Sequence, residues 1–463
     1  MMTRTFARKL IPGAILGAFS TLAGASAFQL LEQNASSLGN AYAGSAAIAE
    51  NASTVFFNPA GMALLPAGKQ VSLSLDMVNP SARFSNNGSI PPRFNTNTGG
   101  DGGDAGGWAA VPSGYFTMSL SPQWTFGLGI GAPFGLKTEY DNNWRGRFLA
   151  TKSDVKTINI SPALAYKVND QVSLGLGLNY QKLDAELGSA ANISALLCAN
   201  PLLAGLCGAG LLNNLEAQVN TKGSDWAWGY NLGAIFQIND KTRLGISYRS
   251  STKYHVTGNV NTSLPTVMAG GPISAPLAAG LNAQIAAGLA NGPIKLDIEL
   301  PETWTISGMY QLDDRWTLLG DIAWTGWSKI QSLDIYRSNT GALLSTTPEN
   351  WRDTTRISLG ANYRWSDTTK LRFGVAADQS PVGNDDYRTP RLPDNNRTWL
   401  SLGAQFKLDG GGVVDVGYSH LFVPNSTIRD NGHSLTNQAA RGLLSGQYSN
   451  SVDILGLQYT FSF

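Results

Sequence analysis

From Val172 to Gln181 the sequence alternates without interruption: Val172, Leu174, Leu176, Leu178 and Tyr180 are interleaved by Ser173, Gly175, Gly177, Asn179 and Gln181. Side chains of a β-strand point alternately to opposite faces, so a strict period of two predicts a strand with one apolar and one polar face. The pattern recurs along the chain. Trp226, Trp228, Tyr230, Leu232, Ala234 and Phe236 form one such face, Leu244, Ile246 and Tyr248 another, and Ile357, Leu359, Ala361, Tyr363 and Trp365 a third. Leu400, Leu402, Ala404, Phe406 and Leu408 continue it. A chain patterned in this way is an all-β chain, and the question becomes which way its apolar faces turn.

The opposite faces carry Arg243, Arg249, Arg356, Arg364 and Arg372 among Gly, Ser and Asn. A soluble sandwich alternates similarly strand by strand. Length and rhythm separate the two, because strands of about ten residues or more, Trp and Tyr near their ends, and short turns alternating with long loops mark an outer-membrane barrel. The short turns are SPQW at 121, NDQ at 169, NDK at 239, DDR at 313, SDT at 366 and DGGG at 409, all of turn-forming residues. Six short turns and seven longer connections predict a 14-stranded antiparallel transmembrane β-barrel, with strands beginning near residues 69, 108, 124, 154, 172, 223, 242, 295, 316, 351, 369, 398, 412 and 449. The last strand, DILGLQYTFSF, ends the chain on Phe463. A terminal aromatic of this kind resembles the signal that hands such barrels to the barrel-assembly machinery.

The start of the chain agrees with export. Arg4, Arg8 and Lys9, the apolar run Leu10 to Leu22, and Ala25-Ser26-Ala27 read as a signal peptide over residues 1–27. The run is too short for a membrane-spanning helix, which needs ~20 residues. With 52 Gly, 43% hydrophobic and 14% charged residues and a net charge of +1, nothing points to nucleic acid or to an acidic partner. Low average hydrophobicity is compatible with a barrel of alternating strands.

Several phrases identify a family. The run FQLLEQNASSLGNAYAGSAAIAENASTVFFNPAGMALL, with GLKTEYDNNWRGRF at 135–148, LPETWTISGMY at 300–310 and WTGWSKIQSL at 324–333, resembles the FadL family of outer-membrane transporters, which includes long-chain fatty acid channels and TodX-like hydrocarbon channels. The resemblance covers essentially the whole mature chain. It implies that residues 28–68 form a hatch inside the barrel of residues 69–463, with Asn58, Pro59 and Ala60 at its constriction. A segment with few long apolar residues cannot build its own core, so it has to borrow order from polar walls.

In GLGIGAPFGLK, Pro133 removes a ladder donor beside Gly131 and Gly135, which weaken pairing. The resemblance implies a lateral opening into the membrane there, with an N-terminal gate at Phe28, Leu30 and Leu31. Two long connections, 191–212 and 265–293, are apolar although they face the medium, as binding surfaces do. Leu196, Leu197, Leu202, Leu203, Leu206, Leu277 and Leu281 are the expected collectors of a hydrophobic small molecule. The alternative for these loops is a lid packed on itself. Cys198 and Cys207, the only cysteines, are expected to pair in the oxidising compartment.

The family's fatty acid members hold the carboxylate with basic residues, and the corresponding positions here are Leu187 and Thr347. Neither is a cation, so Lys182, Arg337 or Arg352 would have to take over if the cargo is a fatty acid rather than a neutral hydrocarbon. An enzyme would need a nucleophile beside a base. His255, His420 and His433 are scattered, and only Ser419-His420 bears checking. No catalytic residue, metal or cofactor is expected. A monomer surrounded by outer-membrane lipid, in the cell outer membrane of a Gram-negative type, is the expected setting.

Overall fold

The computed structural model describes residues 27–463; the signal-peptide reading of residues 1–26 lies outside them. The sheet has nineteen hydrogen-bonded segments, which fall into fourteen consecutive antiparallel strands because five strands are each interrupted once. We label them β1 (Lys69–Asn86), β2 (Ala109–Ser119), β3 (Trp124–Gly131 and Gly135–Glu139), β4 (Lys152–Lys167), β5 (Val172–Asn192), β6 (Glu216–Asn239) and β7 (Thr242–Arg249 and Thr252–Ser263). The second half is β8 (Gly292–Leu300 and Thr303–Gln311), β9 (Trp316–Thr325 and Ser332–Arg337), β10 (Leu343–Pro348 and Thr354–Arg364), β11 (Thr369–Asp378), β12 (Arg397–Lys407), β13 (Val413–Asp430) and β14 (Leu444–Ser462). The barrel closes where β1 pairs with β14, from Gln70 opposite Ser462 to Asn86 opposite Gly446.

The burial pattern is that of a soluble protein turned inside out. Leu174, Leu176 and Leu178 of β5 are exposed, whereas Ser173, Asn179 and Gln181 of the alternate set are buried. Bilayer hydrocarbon solvates the outer face, so apolar residues belong there and the polar set lines the lumen. Aromatic rings gather near both strand ends. Trp124 and Tyr166, Trp316 and Tyr363, and Tyr459, Phe461 and Phe463 sit near the short turns, while Tyr180, Trp226 and Trp228 and the pair Tyr248 and Trp304 sit toward the long loops. Such belts mark the two membrane interfaces.

Residues 27–68 run inside the barrel and contain only short helical turns, Ala35–Leu38, Thr54–Phe57 and Pro59–Leu64. Their backbone is satisfied by the wall. Asp321 accepts from the backbone N–H groups of Gly44 at 2.6 Å and Ser45 at 3.2 Å; Arg356 donates to the Ala41 carbonyl at 2.7 Å; Arg243 donates to Ala47 at 3.1 Å and Ile48 at 3.0 Å. Arg372, which is buried, ties Glu50 of this segment at 2.8 Å to Asp415 of the wall at 2.9 Å, and Lys370 adds a second bond to Glu50 at 2.6 Å. Two wall glycines are required by contact: a Cβ at Gly245 would meet the Ala46 carbonyl, and one at Gly374 would meet the backbone of Asn40.

Candidate functional site

Strand β3 is broken at Ala132-Pro133-Phe134, and the inner segment fills the break. The Leu30 N–H donates to the Pro133 carbonyl at 2.8 Å, the Gly135 N–H donates to the Phe28 carbonyl at 2.9 Å, and Gln29 bridges to Phe134. Gln33 Nε2 adds a bond to the Ala132 carbonyl at 2.8 Å. Gly131, Pro133 and Gly135 therefore flank a gap in the wall whose backbone groups are capped from within. Proline explains its origin, because it cannot continue the ladder.

Phe28 lies at the centre of this region. Its ring packs against Phe134, Trp327 and Trp351, with centroids at 5.8, 5.1 and 6.0 Å. On one side is a cavity of about 150 Å³ that also touches Leu30, Leu31, Glu32 and Gly135. On the other is an apolar cavity of about 60 Å³ lined by Leu183, Leu187, Leu296, Ile298 and Trp351. Phe28, Leu136 and Leu392 line both, so the Phe28 side chain is part of the partition between them.

The apolar cavity has two charged residues on its wall, Arg391 and Glu349. Arg391 belongs to the connection between β11 and β12 and donates to the Lys152 and Leu149 carbonyls at 3.0 and 3.1 Å and to Ser153 Oγ at 3.1 Å. It also lines a small polar cavity of about 10 Å³ that contains Thr347, Asp430 and Arg441. Leu187 and Thr347 thus stand in adjoining cavities that share Arg391. Lys182 is corrected: it lies on the outer face, cross-strand from Trp226 and paired with Asp184 at 2.9 Å, and lines neither cavity. Arg337 and Arg352 line neither cavity as well, and Arg352 donates instead to the Ser380 carbonyl. Sequence reasoning missed Arg391 because nothing in the RTPRLPDNNR stretch marks one arginine as inward-facing.

Asn58 caps the turn Pro59–Leu64 through its side chain, which accepts from the Ala60 N–H at 3.1 Å. Its Nδ2 reaches the carbonyls of Ala46, Ala234 and Ile246 at 2.7, 3.2 and 3.3 Å, so the Asn-Pro-Ala triplet fastens the inner segment to β6 and β7. The apolar loops divide. Leu197, Leu203 and Leu281 are buried in one cluster, with Leu206 and Leu277 packed against it, while Leu202 is 90% exposed and Leu196 is exposed beside it. The loops therefore act mainly as their own core, and Cys198 and Cys207 are joined by a disulfide at its edge. Ser419 and His420 point to opposite faces: Ser419 Oγ bonds to Leu38 inside, and His420 Nδ1 contacts Asp453 at 2.8 Å outside. The strand geometry prevents them from forming a nucleophile–base pair.

A closed barrel with an apolar exterior, a polar lumen and its own N-terminal segment threaded inside defines an outer-membrane channel of the occluded type. The chain matches the family described as outer membrane protein transport protein (OMPP1/FadL/TodX) over residues 16–463, and it belongs to that family. It is 30% identical to the long-chain fatty acid transport protein of Salmonella typhi over 91% of this chain and 93% of that one. A crystal structure of a Pseudomonas aeruginosa FadL homologue superposes with a TM-score of 0.83 at 24% identity, covering 95% of this chain and all of the other. The toluene transporter TodX of Pseudomonas putida shares the fold at a TM-score of 0.65 and 17% identity, covering 94% and 99%. The protein is an outer-membrane transporter of hydrophobic compounds and not an enzyme.

Proposed function

We propose that the protein is a passive uptake channel for long-chain fatty acids or related hydrophobic molecules, with residues 28–68 serving as a hatch whose first residues, Phe28 to Leu31, move. Exposed Leu196 and Leu202 make first contact with cargo, the apolar cavity beneath holds it, and withdrawal of Phe28 joins that cavity to the one beside the β3 break. Cargo then leaves sideways between Gly131 and Gly135 into the bilayer. The observation that carries this reading is the position of Phe28, which lines both cavities and caps the gap with its own carbonyl. Binding free energy comes mainly from apolar area removed from water, at about 25 cal/mol per Å². No energy source is needed for movement down a gradient.

A neutral hydrocarbon is the second reading, favoured by Leu187 and the leucine and isoleucine lining of the holding cavity. Arg391 on the same wall favours a cargo with an anionic end, because a guanidinium binds carboxylate through charge-assisted hydrogen bonds. Uptake of labelled oleate against labelled toluene, in a strain lacking its own hydrophobic channel, tests the choice. Gene-dependent entry of oleate supports the first reading, and gene-dependent entry of toluene alone replaces it with the second.

A further inference from the structure

Glu349 is 3% exposed, yet it lines a mainly apolar cavity together with Arg391. It occupies the interruption of β10 between Pro348 and Thr354, and its backbone N–H is held by the Gln331 carbonyl at 2.9 Å. Among the described residues neither Glu349 nor Arg391 is in an ion pair within 4.0 Å. Arg391 uses three N–H bonds on neutral oxygens and keeps the others unassigned. A half-buried guanidinium without a carboxylate partner, and a buried carboxyl without a cation, line one small cavity. Holding Glu349 ionised there is costly unless something compensates.

Resting on the reading that this cavity holds cargo, we propose that Glu349 is a specificity-determining residue that sets the charge of the cavity, leaving Arg391 free for an anionic cargo head when Glu349 carries its proton and cancelling Arg391 when it does not. The surroundings supply that proton affinity. Burial raises Glu349 to about 8, and Arg391 offsets part of that rise while the Asp430 carboxylate adds to it. Arg391 itself is drawn down by burial to about 10 and stays charged through neutral pH; Glu349, Tyr140 and Asp430 favour its charged form and Arg441 opposes it. The groups facing the pair are therefore Asp430 from the end of β13, Arg441 from the loop after it, and Tyr140 from the loop after β3. With Glu349 protonated the cavity carries the single positive charge of Arg391, and with Glu349 ionised the two charges cancel.

The sign follows directly. A cargo head ionised at every pH in the range gains most while Glu349 is neutral, so its binding weakens as pH rises through about 8. A neutral cargo of the same length is indifferent. Glu349→Gln fixes the cavity in its positive form, and Arg391→Gln removes the cation.

The test uses the whole barrel in non-ionic micelles and two probes, decyl sulfonate, which stays ionised, and decanol, which is neutral, with tryptophan fluorescence as readout. Between pH 7 and pH 9 the sulfonate dissociation constant is expected to rise about tenfold, with decanol unchanged. The rise is expected to vanish in Glu349→Gln, and sulfonate affinity to be low at both pH values in Arg391→Gln. A flat sulfonate profile in the unaltered protein, which needs no variant to fold, overturns the proposal while leaving the cavity assignment intact if decanol binds. An undiminished pH effect in Glu349→Gln overturns it too. If neither probe binds, the cavity assignment fails and the proposal falls with it.

Discussion

The N–H of Gly135 donates to the carbonyl of Phe28 at 2.9 Å, so the residue that partitions the two cavities also caps the broken wall strand. Inside a membrane an unsatisfied backbone group costs several kcal/mol. The gap at Pro133 is therefore stable because the inner segment lends it hydrogen bonds through Phe28, Leu30 and Gln33. Side-chain partition and backbone cap belong to one short stretch of chain, and any movement of that stretch changes both.

Phe28→Ala removes the partition while keeping the backbone cap. A buried Phe→Ala change costs about 3–5 kcal/mol of packing, here concentrated on contacts with Phe134, Trp327 and Trp351. Cargo dissociation is expected to speed up by about tenfold or more, which corresponds to roughly 1.4 kcal/mol of that packing. Stopped-flow fluorescence of Trp327 and Trp351 measures the rate, and an unchanged rate removes Phe28 from the gate.

Glycines on the two faces of the wall should respond oppositely. Gly374→Val places a side chain where the Asn40 backbone lies, whereas Gly320→Val meets only ordinary contacts with Leu359 and Ser358. The first is expected to dislodge the inner segment and raise single-channel conductance in planar bilayers; the second should leave conductance low. Equal behaviour of the two would show that the segment is not seated against Gly374.

Acid should loosen the inner segment only at extreme pH. Burial would raise Glu50, but Arg372 and Lys370 outweigh it and hold the carboxyl at about 2. A depressed acid contributes stability that is complete above its unfolded value near 4.5 and is lost as pH falls toward 2. Conductance is thus expected to stay low at pH 5 and to rise below about pH 3. Arg372→Met leaves Glu50 and Asp415 without their shared cation, an error of the kind that costs about 3–5 kcal/mol, and should bring the rise to neutral pH.

Cys198 and Cys207 close a short loop at the edge of the extracellular cluster. In Cys198→Ser the cluster of Leu197, Leu203 and Leu281 is expected to loosen by about 2–4 kcal/mol, which limited proteolysis of the 193–215 connection would register as faster cleavage. The barrel's heat-modifiable migration should not change, because no strand depends on the loop.

Much of the fold was legible because a barrel wall alternates and its short turns are compositionally marked. Strands expected near 69, 124, 172, 242, 316 and 369 begin at those residues, and the β3 break falls at Pro133. Strand β6 begins seven residues before its expected start near 223, at Glu216, because its upper end pairs with the polar–small run at the end of β5 and shows little alternation. The interruptions of β7 to β10 were not foreseen either: those of β7 and β8 are two residues long and hardly disturb a period of two, and those of β9 and β10, six and five residues long, carry no strong turn signature. The site was legible only where chemistry is local, as in the Asn58 cap. Arg391 and Glu349 lie 42 residues apart in sequence and come to one cavity only when neighbouring strands pair, and whether Leu202 or its neighbour Leu203 faces water depends on a helical turn that composition does not orient.

The central claim, that cargo leaves through the gap now filled by residues 28–30, is tested most directly by locking that stretch in place. Gln29 and Phe134 are directly opposed in an antiparallel bridge, a spacing that suits a disulfide. In the double variant Gln29→Cys/Phe134→Cys, uptake of labelled oleate should be lost under oxidising conditions and return on reduction, while the unaltered protein keeps its uptake under both. Undiminished uptake with the cross-link formed would contradict lateral release and send the cargo through the lumen instead.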